Sequence, residues 1–145
     1  MTLGDIPVGY RSVFRNKYRM NQPTPKPKGI ARILKAFFYS LQGLKDTCKT
    51  EAAFRQELLL AVVMLPLAFW LGKTPTEQAI LIGTLFLVLI VELLNSAIEA
   101  VVDRIGPEFH VLSGKAKDAG SAAVLITLLL TFICWSIIAI PPLIK

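Results

Sequence analysis

Glu92, Asn95, Glu99 and Asp103 recur at intervals of three and four in VELLNSAIEAVVDRI, a stretch otherwise apolar enough to lie in a membrane. With Glu92 at the origin of a helix turning about 100° per residue, Asn95 points to roughly −60°, Ser96 to roughly +40°, Glu99 to roughly −20° and Asp103 to roughly +20°. The polar groups therefore share one stripe, about 16 Å long at ~1.5 Å per residue. Ionisable groups in hydrocarbon are costly and mark function. Three uses compete: a polar seam between helices, an ion or proton pathway, and a catalytic site. Asn or Ser would suffice for a seam. A pathway would cross the whole span, yet residues 79–91 are apolar apart from Thr84. The pattern fits a site open at one membrane face.

Carboxylates beside the cations Lys115 and Lys117 suit a metal and a phosphorylated substrate. Carboxylates take Mg²⁺ that is bridged to phosphate oxygens, and lysine neutralises phosphate charge. A glutamate set deeper can act as base on a lipid hydroxyl. The phosphate-binding loops of soluble nucleotide folds, Gly-x-x-x-x-Gly-Lys-Ser/Thr and Gly-x-Gly-x-x-Gly, are absent. A Ser-His-Asp hydrolase built on His110 lacks a nucleophile elbow.

These residues must be positioned by helices. Residues 30–49 carry apolar side chains at 30, 33, 34, 37, 38, 41 and 44, with Arg32, Lys35, Tyr39, Gln42 and Lys45 on another face. This predicts an amphipathic helix lying in the interface. A first span is expected over about 50–71. Its apolar run is short of the ~20 residues needed to cross, so Glu51, Arg55, Gln56 and Glu57 must occupy its first turns, with Pro66 inside. Thr74, Pro75 and Glu77 form a capping box with proline at the first helical position, opening a second span over 78–102. A polar loop is expected over 103–118 and a third span over 119–140. The fold class is all-α integral membrane.

Composition agrees. The 145 residues are 54% hydrophobic with a net charge of +6. Eleven of the 16 Lys and Arg lie in residues 1–55. Counting Arg104, Lys115 and Lys117 puts 14 basic residues on one side of the membrane, against Lys73 and Lys145 on the other. The N-terminus and the 103–118 loop are therefore expected to be cytoplasmic. Trp70 and Trp135 would both fall at the far interface as an aromatic belt. Residues 1–29 hold six basic residues and four prolines, which predicts a disordered tail. No apolar run there has signal-peptide length, and no motif points to a nucleic-acid partner. The domain would be 30–145. Cys48 and Cys134 set no disulfide framework.

The run VELLNSAIEAVVDRIG, followed by a histidine and LSGKAKDAGSAAV, with TEAAFRQE upstream, resembles the prokaryotic integral-membrane diacylglycerol kinases over roughly residues 29–140. The related undecaprenol kinases share the fold, and the DRIG version looks more like the diacylglycerol branch. The chain departs from the family pattern at Leu41 and Thr50. The resemblance implies a homotrimer in the inner membrane that moves the γ-phosphoryl group of MgATP to a lipid primary hydroxyl, giving phosphatidic acid. It implies Glu92 as general base and Glu51 and Glu99 as Mg²⁺ ligands. Arg32, Tyr39, Glu51, Glu99, Glu108, Phe109, His110, Lys117 and Asp118 would contact ATP. Lipid would lie along Arg32, Ala36, Phe37, Phe38, Tyr39, Ser40, Leu41, Lys45, Asp46, Thr47 and Cys48, the turn of Ala53, Phe54, Arg55, Gln56 and Glu57, and Glu92 and Ser121. The alternatives are an undecaprenol kinase and an ion or proton conductor.

Overall fold

The computed structural model describes residues 29–106, 108 and 110–144, with side chains to residue 140. The expected tail, apart from Gly29, and the expected nucleotide contact Phe109 lie outside them. Four helices follow in order: α1, Ile30–Thr50; α2, Ala52–Leu71; α3, Pro75–Ile105; and α4, Val111–Ile144. No strand occurs among the described residues. Three helices are long and apolar enough to cross a membrane: Ala52–Leu71, Pro75–Ile105 and, within α4, Val111–Ile140. Their exposed surface is rich in large apolar side chains, among them Leu59, Val62, Phe86, Ile90, Leu125 and Phe132. Such a surface is compatible with lipid and incompatible with water on this scale.

The chain divides into two compact units between Leu41 and Gln42. Within the first, every described residue of α1 is exposed. In the second, α3 is the central element, packing most extensively on α4 and then on α2. The start of α3 is chemically explicit. Thr74 Oγ1 accepts from the Glu77 amide at 3.2 Å, and Glu77 Oε2 accepts from the amides of Thr74 at 3.0 Å and Lys73 at 2.7 Å. Pro75 stands at the first turn, where its missing N–H costs nothing. Thr74→Ala should lower stability by ~1 kcal/mol, read as a reduced unfolding temperature in detergent, with catalysis intact below it.

The α2–α3 turn is tight because Gly72 has no side chain. A Cβ there would sit 2.8 Å from Gln78 Cγ and 2.9 Å from its backbone nitrogen. Beneath this turn, Ala68, Leu81, Leu85 and Trp135 form the buried cluster. Ala68 is wholly buried, and its small side chain lets α2 approach α3 closely. Trp135 corrects the aromatic-belt expectation. It is only 8% exposed, and its indole Nε1 donates to Thr84 Oγ1 at 3.3 Å. Thr84 in turn donates to the Leu81 carbonyl at 2.9 Å. Thr131 donates to the Thr127 carbonyl at 2.9 Å, with the Thr84 carbonyl 3.4 Å away. An indole N–H in hydrocarbon needs a partner, and a neighbouring helix offers one that an interface position would have taken from water. Trp70 does remain exposed, with the Lys73 ammonium 5.9 Å from its ring centre.

The expected 103–118 loop is also corrected. α3 continues to Ile105 and α4 begins at Val111, so the connection is confined to residues 106–110. At 34 residues, α4 is about 51 Å long, well beyond the ~30 Å hydrocarbon core. Its polar first turns, VLSGKAKD, are helix and not loop. Gly106 closes α3 at φ 146°, a backbone region that side-chain-bearing residues rarely adopt.

Candidate active site

The predicted stripe is present on α3, and α4 and α2 cover its deeper part. Glu92 is 5% exposed and Asn95 9%, whereas Glu99 is half-buried and Asp103 is exposed. Burial thus decreases toward the α3–α4 loop. Asn95 Nδ2 donates to Glu99 Oε1 at 3.2 Å, one turn along the same helix. A carboxylate can only accept, so the amide nitrogen must face it. The amide oxygen then points the other way, onto α4, where it has no hydrogen-bond partner and lies where a Cβ on Gly120 would be. Gly120 is buried for this reason. Asn95 was legible as part of the stripe. Its service to Glu99 and its seat on Gly120 were not, because the seat belongs to another helix.

Glu51 does not join the first turn of α2 as expected. It is the extended residue before it, at φ −97° and ψ 116°, and its side chain caps nothing. It is half-buried and therefore free for another task. The break between α1 and α2 is held by Arg55, whose Nη1 donates to the carbonyls of Cys48 at 3.2 Å and Lys49 at 3.0 Å. These are orphan carbonyls of the last turn of α1, which a guanidinium satisfies. Glu57, two residues on, is half-buried with Oε2 unpartnered.

Glu92 lies in the electrostatic field of Glu99 and Glu51, and Glu57 in that of Glu92. Converging carboxylates in a poorly hydrated site are a standing electrostatic burden. Oxygen-only ligands of this kind fit a hard divalent cation. No group of three His, Cys, Asp or Glu side chains close enough to hold an ion alone occurs among the described residues. A cation there would take two carboxylates and complete its shell with phosphate and water, as Mg²⁺ prefers.

Toward the loop, Lys117 on α4 pairs with Asp103 at 2.5 Å. Asp103 is thus bound across the hairpin rather than to its neighbour Arg104. Asp118 is exposed one residue on, as is Ser121 beyond Gly120. Glu108 is exposed in the connection, and His110 Nδ1 accepts the Leu112 amide at 3.2 Å, capping the start of α4. Among the residues expected at lipid, Lys45, Asp46, Ala53, Arg55 and Gln56 are exposed, Thr47 and Cys48 are half-buried, and Phe54 is 2% exposed. Arg32, Ala36, Phe37, Phe38, Tyr39, Ser40 and Leu41 belong to the other compact unit, where all are exposed. Cys48 and Cys134 are free thiols.

Between α2 and α3 lies an open apolar groove of about 100 Å³, lined by Leu58, Ala61, Val62, Leu65, Leu85, Phe86 and Leu89. In sequence its lining begins at Leu58, next to Glu57, and ends at Leu89, three residues before Glu92.

Residues 38–139 match the family described as prokaryotic diacylglycerol kinase. The chain is 51% identical over 110 residues to a Haemophilus influenzae protein named diacylglycerol kinase, covering 76% of this chain and 93% of that one. It is 52% identical over 110 residues to the Escherichia coli K12 protein of the same name, covering 76% and 90%. A Pseudomonas aeruginosa counterpart is 51% identical over 110 residues, with 76% and 89% covered. The matched region enters all three apolar helices and takes in Glu51, Glu57, Glu92 and Glu99, and the chain therefore belongs to the prokaryotic diacylglycerol kinase family.

Proposed function

We propose that this ATP-dependent lipid kinase moves the γ-phosphoryl group of MgATP to the primary hydroxyl of diacylglycerol, with Glu92 as the general base. The carrying observation is the graded burial of the stripe, from Glu92 at 5% exposure to exposed Asp103. The deep end is reachable by a lipid headgroup, and the shallow end by a nucleotide from water. Glu92 takes the hydroxyl proton as the lipid oxygen bonds to the γ-phosphorus. The bond from that phosphorus to the β–γ bridging oxygen breaks, ADP leaves, and phosphatidic acid remains.

Glu99, oriented by Asn95, and Glu51, with no capping duty, would hold Mg²⁺. The ion supplies charge neutralisation along the phosphates. Lys117 faces the phosphates, with Arg32, Tyr39, Glu108, Phe109, His110 and Asp118 as further nucleotide contacts. The groove below Glu57 and Glu92 suits an acyl chain whose glycerol end reaches Glu92. The α1 residues 36–41 and 45–48, the 53–57 turn and Ser121 complete the lipid contacts. Much of the catalytic effect is positioning and charge neutralisation, which a small chain can supply.

The assembly is a homotrimer in the inner membrane, with the N-terminus and the residue 106–110 connection cytoplasmic. The protein in phospholipid vesicles with ATP and Mg²⁺ should phosphorylate diacylglycerol faster than undecaprenol. A faster rate on undecaprenol would reassign the substrate, and no phosphorylated lipid from either alcohol would overturn the reading.

A further inference from the structure

Among the described residues, one ion pair joins two helices at the mouth of the site. Asp103 lies in the last turn of α3, and Lys117 lies in the second turn of α4, at 65% and 39% side-chain exposure. Asp103 is also one turn beyond Glu99 on the same face of α3, and the Lys117 ammonium feels the Glu99 charge as well. The ammonium therefore stands at the boundary between the half-buried carboxylates and water.

Its side chain has four rotatable carbon bonds and would otherwise range widely. An ion pair this exposed contributes little to folding. What it does is fix where the ammonium rests. Arg104, next to Asp103 in sequence, leaves the helix about 100° away, so Asp103 is available to Lys117. Gly106 ends α3 at φ 146°, and α3 and α4 pack on each other.

We propose that Asp103 is a positioning residue for nucleotide binding, holding the Lys117 ammonium at the α3–α4 end of the stripe, where it meets the nucleotide's phosphates. This rests on Lys117 being a nucleotide contact, as proposed above. When ATP arrives, the ammonium keeps a hydrogen bond to Asp103 while its other donors turn to phosphate. Lysine has three donors, so the two contacts are compatible. Asp103 touches neither substrate.

The test is a double-mutant cycle on the full chain in vesicles, reading KM for ATP, kcat and unfolding temperature. Asp103→Asn should raise KM for ATP roughly three- to ten-fold, with kcat and unfolding temperature little changed. Asp103→Glu should restore most of the affinity. Lys117→Met should raise KM further, and adding Asp103→Asn to it should cost nothing more. If Lys117→Met leaves KM unchanged, the nucleotide role of Lys117 fails and this inference with it. If Lys117→Met raises KM while Asp103→Asn leaves it unchanged or lowers it, the nucleotide role stands and positioning is overturned. Additive effects in the double variant would also overturn it.

Discussion

Glu92→Gln protein should lose roughly 10²- to 10⁴-fold in phosphoryl transfer while retaining ATP binding and its fold. The substitution keeps the shape of a side chain that is only 5% exposed, so packing is preserved. It removes one of the carboxylates that repel one another in this site, so the unfolding temperature should stay level or rise. An amide cannot take the hydroxyl proton of the lipid. A fall in turnover without a fall in stability separates a chemical role from a structural one. The measurement is single-turnover transfer to diacylglycerol at saturating ATP, beside thermal unfolding in the same detergent. Near-normal transfer would remove Glu92 from the base role.

Gly120→Ala is the second large effect, and its sign opposes helix propensity. On propensity alone, alanine should favour α4 by about 1 kcal/mol. At Gly120, however, the new Cβ lands on Asn95 Oδ1. Either Asn95 rotates and releases Glu99, or α4 moves away from α3. Overpacking of this kind costs about 1–3 kcal/mol. A displacement near 1 Å at a reacting group can cost on the order of 100-fold in rate. The expected outcome is lower stability and at least about ten-fold lower activity. Gly83→Ala is the control: it lies inside α3 with nothing within 4 Å of a Cβ, so alanine there should be harmless. Equal behaviour of the two variants would dismiss the Asn95–Gly120 contact.

Much of this arrangement is legible in the amino-acid order, because helices advertise their own periodicity. The stripe from Glu92 to Asp103, the capping box at Thr74 and the three spans each follow from intervals within one segment. Where an expectation failed, a partner on another segment or a helix boundary decided the outcome. Trp135 reads as a belt residue until Thr84 on α3 is seen to accept its N–H. VLSGKAKD reads as a loop because it is polar, yet polarity reports only where a helix leaves the bilayer. Glu51 lies outside α2 because the chain breaks there, and Arg55 mends that break through backbone carbonyls that no side-chain pattern encodes.

Helix α1 buries none of its 21 residues. Its free energy is therefore borrowed from the surroundings, since an isolated helix of this length is marginal in water. Far-UV circular dichroism should report its melting as the amphiphile is diluted away, before the three spans respond. A protein whose nucleotide and lipid contacts are proposed to sit partly on such a segment measures its environment before it acts on it.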